Sequence, residues 1–342
     1  MDTQIRNFSS ERTLDKASAR PNSTIRNILN KGQQSPTMLR KPNIITEDTT
    51  LTQSSKKPIV IAANNITLDG AGFSLIGKQE EPGVTINGFK NVTIKNLKVS
   101  NFYEGIKLKN TVNLTLEGNE FSSNKRDGID AARLEGSIIK NNLIENNRQN
   151  GLEFDASTNN LIFNNIARRN DDGFDLSGTQ RSGEKPSPKN TLKNNIAEAN
   201  KKHGFAILSD ENTITGNEAK SNGAIRNGKR KGAGFSLRGS SNTFSNNCAH
   251  SNFEDGIDVE GSHNIIKANQ ADANGEDGFD IEGNRNQLTN NSSISNAEYG
   301  FTLSGYRNLL TNNRAMTNKL GNLKKSFLHF NNTKTNSFDD DL

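Results

Sequence analysis

The sequence predicts an all-β solenoid of three short parallel strands per coil, with a repeat of about 22 residues and about 11 to 12 coils. Three observations carry that reading. First, a glycine followed by an apolar, polar, apolar alternation recurs at Gly83, Gly105, Gly128, Gly151, Gly173, Gly204, Gly234, Gly256, Gly278 and Gly300, at intervals of 22, 23, 23, 22, 31, 30, 22, 22 and 22. Second, each repeat holds three runs of β-forming residues separated by Asn or Gly, the residues that take left-handed corner conformations at least cost. Third, asparagines recur in register as Asn142, Asn165, Asn195, Asn217, Asn247, Asn269, Asn291 and Asn313, placed to hydrogen-bond coil to coil. Only 30% of residues are hydrophobic, too few for an ordinary globular core, but each repeat needs only a few inward side chains to build a continuous one.

Taken in order, residues 1–43 form a polar, basic extension broken by Pro21, Pro36 and Pro42 and expected to be disordered. It has neither a secretory signal nor interleaved aromatics, so its positive charge reads as a solvated segment rather than a nucleic-acid site. The compartment is expected to be the cytoplasm or one reached by a leaderless route. The solenoid is expected over 44–325, starting with the runs at Ile59, Ile66 and Phe73, and a tail over 326–342. In the strand Gly173-Phe174-Asp175-Leu176 the alternation sends Phe174 and Leu176 inward and Asp175 to solvent. Phe174, Phe205, Phe235, Phe279 and Phe301 are expected to stack inside. A leucine-rich repeat shares the period but not the residues: Leu-x-x-Leu-x-Leu-x-x-Asn is absent. No run is long and apolar enough for a membrane span. The one cysteine, Cys248, excludes an internal disulfide.

The periodic glycine strands and Asn-x-Ile/Leu-x-x-Asn corners, with Ile59-Val60-Ile61-Ala62-Ala63-Asn64-Asn65-Ile66-Thr67-Leu68-Asp69-Gly70, resemble right-handed parallel β-helix proteins of the pectate-lyase-like superfamily. The similarity is nearest to the NosD-like branch and the mannuronan C5-epimerases and spans roughly 44–325. It implies a protein that acts on an extended anionic polysaccharide, as a uronate C5-epimerase or lyase, or else a non-catalytic β-helix that binds glycan, metal or a partner protein. The Asp-Pro-His sequence associated with mannuronan epimerases is missing. Copper delivery is not expected, because the four histidines, three methionines and one cysteine lie far apart and form no soft-ligand cluster.

Uronate chemistry needs a cation for the sugar carboxylate, a base and an acid. Two insertions, Thr179–Pro188 and roughly Gly223–Arg230, are expected to wall a trough over the central coils. Between them His203, Asp172, Asp175, Arg238 and Lys202 are the catalytic candidates, while Arg181, Lys185, Arg226, Lys229 and Arg230 on the insertions are placed to hold an anionic chain. Further along, Asp255, Asp258, Asp277 and Asp280, with Glu254, Glu260, Glu276 and Glu282, stack hard oxygen ligands on consecutive coils, the chemistry of Ca²⁺. No organic cofactor is expected.

Overall fold

The computed structural model describes residues 41–177, 186–325, 331–332 and 336–339, and within them every regular element is a strand. Three parallel sheets run the length of the body. Among the described residues the first and second sheets have 13 strands each and the third has 12, in an order that takes every third strand of the chain. Each coil therefore contributes one strand to each sheet. The coil from Ile129 shows the plan: Ile129–Glu135 in the first sheet, Ile138–Lys140 in the second and Leu143–Glu145 in the third. Strands Asn331–Asn332 and Ser337–Asp339 carry the second and third sheets past residue 325, where the sequence placed a tail.

The corners explain why the chain turns where it does. Asn141 and Asn146 adopt φ of 55° and 58°, and each is followed by a buried asparagine, Asn142 or Asn147. The Asn142 Oδ1 accepts both the backbone N–H and the side-chain N–H of Asn119, at 2.9 and 3.1 Å, and its own Nδ2 donates to Leu116 O at 3.1 Å. Repetition of this pattern from coil to coil gives a ladder. Sequence periodicity pointed to one such column; the structure has three, one at each corner, through Asn142, Asn147 and Asn160.

Inside, Phe174, Phe205, Phe235, Phe279 and Phe301 are fully buried. Phe174, Phe205 and Phe235 stack at 4.9 and 4.7 Å between ring centres, and Phe279 stacks on Phe301 at 4.7 Å. Ile257 separates the two runs. The repeat glycines serve packing rather than left-handed backbone: a Cβ at Gly173 would stand 2.5 Å from Gly204 O and 2.9 Å from Asn200 Nδ2. No larger residue fits between a strand and the corner ladder beside it.

The second insertion is an antiparallel hairpin, Ala224–Arg226 with Lys229–Lys231. Its two-residue turn has φ of 51° at Asn227 and 73° at Gly228, the sign that a tight hairpin needs. Arg226, Lys229 and Arg230 lie on its strands, and their side chains are outside the description; Arg181 and Lys185 of the first insertion lie outside the described residues.

Candidate active-site trough

The outward face of the first sheet carries the chemistry. Strand pairing aligns one column as Lys107, Asp130, Glu153, Asp175, Ala206, Ser236, Asp258, Asp280, Thr302 and Lys324. Over this face run four clefts joined by shared walls. Arg126 and Glu153 line both the first and the second, Lys202 the second and third, and Asp255, Asp280 and Glu282 the third and fourth. They form one trough along the solenoid axis, about 43 Å long for ten rungs at the parallel-strand spacing.

The second cleft, of about 430 Å³, brings together Arg126, Asn150, Glu153, Asp172, Asp175 and Lys202. Asp175 points away from the core as expected, but it is only 7% exposed rather than solvated. Asn150 Nδ2 donates to its Oδ2 at 3.1 Å, and Ser177 donates to Oδ1 through both backbone N–H and hydroxyl. Burial lifts its pKa to about 6 against the pull of the Ser177 hydrogen bonds. Asp172 accepts the His203 backbone N–H at 2.8 Å and is likewise lifted by burial to about 6, with Lys202 pulling the other way. Lys202 Nζ stands 2.6 Å from Asp171 and 3.7 Å from Asp172.

Glu153 is the residue that sequence reasoning left out of the site. It is 8% exposed, sits one rung from Asp175, and shares its surroundings with Asp127, which is fully buried. Burial, and then the charges of Asp127 and Asp175, push the Glu153 carboxyl far above its ordinary value. Burial lifts Asp127 to about 7, against the pull of the Asn150 N–H that its Oδ1 accepts at 2.7 Å, and its buried Oδ2 has no donor among the hydrogen bonds of the described residues.

The third cleft, of about 410 Å³, gathers Lys202, His203, Lys231, Arg238, Glu254, Asp255, Asp258 and Asp280. The structure thus unites the five catalytic candidates around Lys202, which borders both clefts. His203 Nδ1 accepts the Ala233 N–H at 3.1 Å, so the ring proton belongs on Nε2; burial keeps the ring neutral by lowering its pKa. That tautomer leaves Nε2–H of His203 as a hydrogen-bond donor. Arg238 pairs with Glu260 at 3.0 Å.

The acidic column beside the glycines works structurally. Asp255 accepts the Asp277 N–H at 2.8 Å and Asp277 accepts the Tyr299 N–H at 2.7 Å. Asp258 accepts the Ser236 hydroxyl at 3.2 Å. Burial lifts Asp255 to about 9, Asp258 to about 6 and Asp280 to about 7. Among the described residues no group of three or more His, Cys, Asp or Glu is arranged to hold a metal ion. Asp255, Asp258 and Asp277 each commit an oxygen to a hydrogen bond within the solenoid.

The sequence profile of the right handed beta helix region matches residues 82–230 and 224–341. The chain belongs to this β-helix family. Among solved structures the β-helix is similar to the catalytic domain of a GH87 alpha-1,3-glucanase mutant in complex with tetrasaccharides, at TM-score 0.57 and 14% identity, covering 86% of this chain and 62% of that one. It is also similar to a point mutant of the periplasmic alginate epimerase AlgG, at TM-score 0.52 and 16% identity, covering 82% of this chain and 77% of that one. The chain thus spans less than two thirds of the glucanase domain. Comparison with curated protein sequences finds no match. No helix among the described residues is long and apolar enough to cross a membrane.

Proposed function

We propose that the β-helix is a polysaccharide-acting enzyme that lays an extended glycan along the trough and cleaves it by acid–base chemistry at Glu153 and Asp175. The observation that carries this reading is two carboxyls on neighbouring rungs, in one cleft, whose surroundings separate their proton affinities. Such a separation divides the roles of acid and base. Protonated Glu153 gives its proton to the leaving glycosidic oxygen as the C–O bond breaks. Ionised Asp175, with Asp172 beside it, takes a proton from the water whose oxygen joins the anomeric carbon. Carboxylates along the trough accept hydrogen bonds from sugar hydroxyls. The fold is one on which glycan-active proteins are built, as the glucanase and epimerase structures illustrate.

A second reading, uronate epimerisation or β-elimination, rests on Arg238 and His203 in the neighbouring cleft. It requires Arg238 to leave Glu260 for the sugar carboxylate and a base other than His203. A panel of neutral glucans and polyuronates separates the readings. New reducing ends without ultraviolet absorbance support hydrolysis; unsaturated product or an NMR-detected C5 inversion supports the second; binding without any turnover leaves a non-catalytic glycan binder. Glu153→Gln and Asp175→Asn should each lower kcat by ~10²–10⁴ while sparing glycan binding.

A further inference from the structure

Around the edge of the trough, at the corner between first and second sheets, lies a cleft of about 380 Å³ lined by Ser262, His263, Asn284, Arg285, Tyr306 and Arg307. His263, Arg285 and Arg307 occupy equivalent positions on three consecutive coils, with φ of 60°, 57° and 59°. In earlier coils the same corner carries Asn91, Asn113 and Asn159, residues that accept this conformation at low cost. The corner backbone is pinned: His263 N–H donates to Asn284 O at 3.0 Å, Arg285 N–H to Tyr306 O at 2.9 Å and Tyr306 N–H to Asn284 Oδ1 at 2.8 Å.

Elsewhere on the solenoid, cations stacked over neighbouring rungs meet carboxylates. Lys95 meets Asp69, Lys140 meets Glu117, Arg168 and Arg169 meet Glu145, and Lys220 meets Glu198. This corner is different. Among the described residues no carboxylate forms an ion pair with Arg285 or Arg307, and Arg285 instead donates from Nη1 to His263 Nε2 at 3.4 Å. Arg285 and Arg307 start from backbone positions one rung apart, about 4.8 Å along the axis, so one anion lies within reach of both guanidinium groups. Beside them Tyr306 is 50% exposed, an aromatic side chain open to solvent.

We propose that this corner is a binding site for the anionic group of an acidic sugar, a sulfate ester or a uronate carboxylate carried on a glycan. Arg285 and Arg307 hold the oxyanion by paired N–H donors, and the Tyr306 ring takes the apolar face of the sugar. The aromatic platform favours a sugar over a bare inorganic anion. The site is separate from the carboxyl-lined trough, and it does not depend on the trough being catalytic.

Binding of the full chain to dextran sulfate, polygalacturonate, uncharged dextran and poly(U) tests this. At least one of the two polyanionic glycans binds, dextran does not, and the preference between sulfate and carboxylate names the source. Arg285→Ala with Arg307→Ala weakens that binding by about tenfold or more, as loss of charge-assisted hydrogen bonds requires. Tyr306→Ala weakens the glycan but leaves inorganic sulfate unchanged. All three side chains are solvent-exposed, so the variants keep the parent melting temperature. The proposal is overturned if neither glycan binds, if the double variant binds as well as the parent, or if poly(U) outcompetes both glycans. Arg238→Ala, in the trough, leaves corner binding intact; if it abolishes polyanion binding, the ligand sits in the trough and the corner assignment falls while the trough reading stands.

Discussion

At the scale of single residues, burial decides what the carboxyls do. Asp172 and Asp175 keep their protons to about pH 6 in the folded chain against 3.8 ordinarily, so between those values the native state binds more protons than the unfolded one. Stability therefore falls as pH rises through that window, and Asp258 and Asp280 extend it with the same sign. His203 acts oppositely, since a ring held neutral by burial disfavours folding as pH falls below 6.5. The acids outnumber it. The melting temperature should be higher near pH 5 than near pH 7.5, and Asp175→Asn should shrink the difference; a flat or reversed profile would show that these carboxyls are hydrated. Sequence periodicity placed Asp172 and Asp175 on the right face. It could not rank Glu153, because the signal there is burial beside Asp127, and pattern alone shows that a residue points outward but not whether neighbours cover it. Corner residues were equally opaque, since Arg285 and Arg307 look like solvated arginines until three coils are superposed.

At the scale of the strand and corner, the fold was legible because each coil repeats one solution. Glycine, apolar residue and ladder asparagine recur where close approach, burial and hydrogen bonding demand them. Replacing Phe279, stacked on Phe301 and fully buried, by Ala should destabilise by about 3–5 kcal/mol in chemical denaturation. Asn247 makes a sharper test. Its Oδ1 accepts the Asn217 backbone and side-chain N–H groups at 2.9 and 3.1 Å, and its Nδ2 donates to Ile214 O at 2.9 Å and Asn269 Oδ1 at 3.0 Å. Asn247→Ala strands several buried groups and should cost about 2–4 kcal/mol, whereas Asn246→Gly, at the left-handed neighbour with φ of 55°, should be nearly neutral. Equal losses at the two positions would mean that conformation, not the amide ladder, holds the corner.

At the scale of the whole molecule, contacts run mainly between adjacent coils, so stability is close to a sum over neighbouring pairs. The Phe-filled coils from Gly173 to Gly234 form a central block, and hydrogen exchange should be slowest there and fastest in the terminal coils. A uniform exchange rate along the body would show a single cooperative unit instead. The insertions interrupt the period without interrupting the sheets: the pairs Phe174 with Phe205 and Phe205 with Phe235 keep register across both. That is why the spacing alone located them, while the chemistry they border depends on which side chains their neighbours bury.

The asparagine ladders also give the solenoid a direction. Each ladder Oδ1 points toward the amino-terminal end and receives an N–H from the coil before it. Such a column begins on any residue, because every non-proline residue has a backbone N–H: Leu97 and Phe102 open two of the columns by donating to Asn119 and Asn124 at 3.0 Å. It does not stop so freely, because the last amide is left with donors and needs an acceptor. Asn318 meets that need from Asn322 Oδ1 at 2.8 Å, on the first-sheet strand that follows it. The two ends of the molecule are therefore chemically unlike. Coils removed from the amino-terminal side expose acceptors that water satisfies at an open edge, while a cut before Asn322 removes the terminating acceptor, so the body is vectorial in assembly although its repeats are nearly alike.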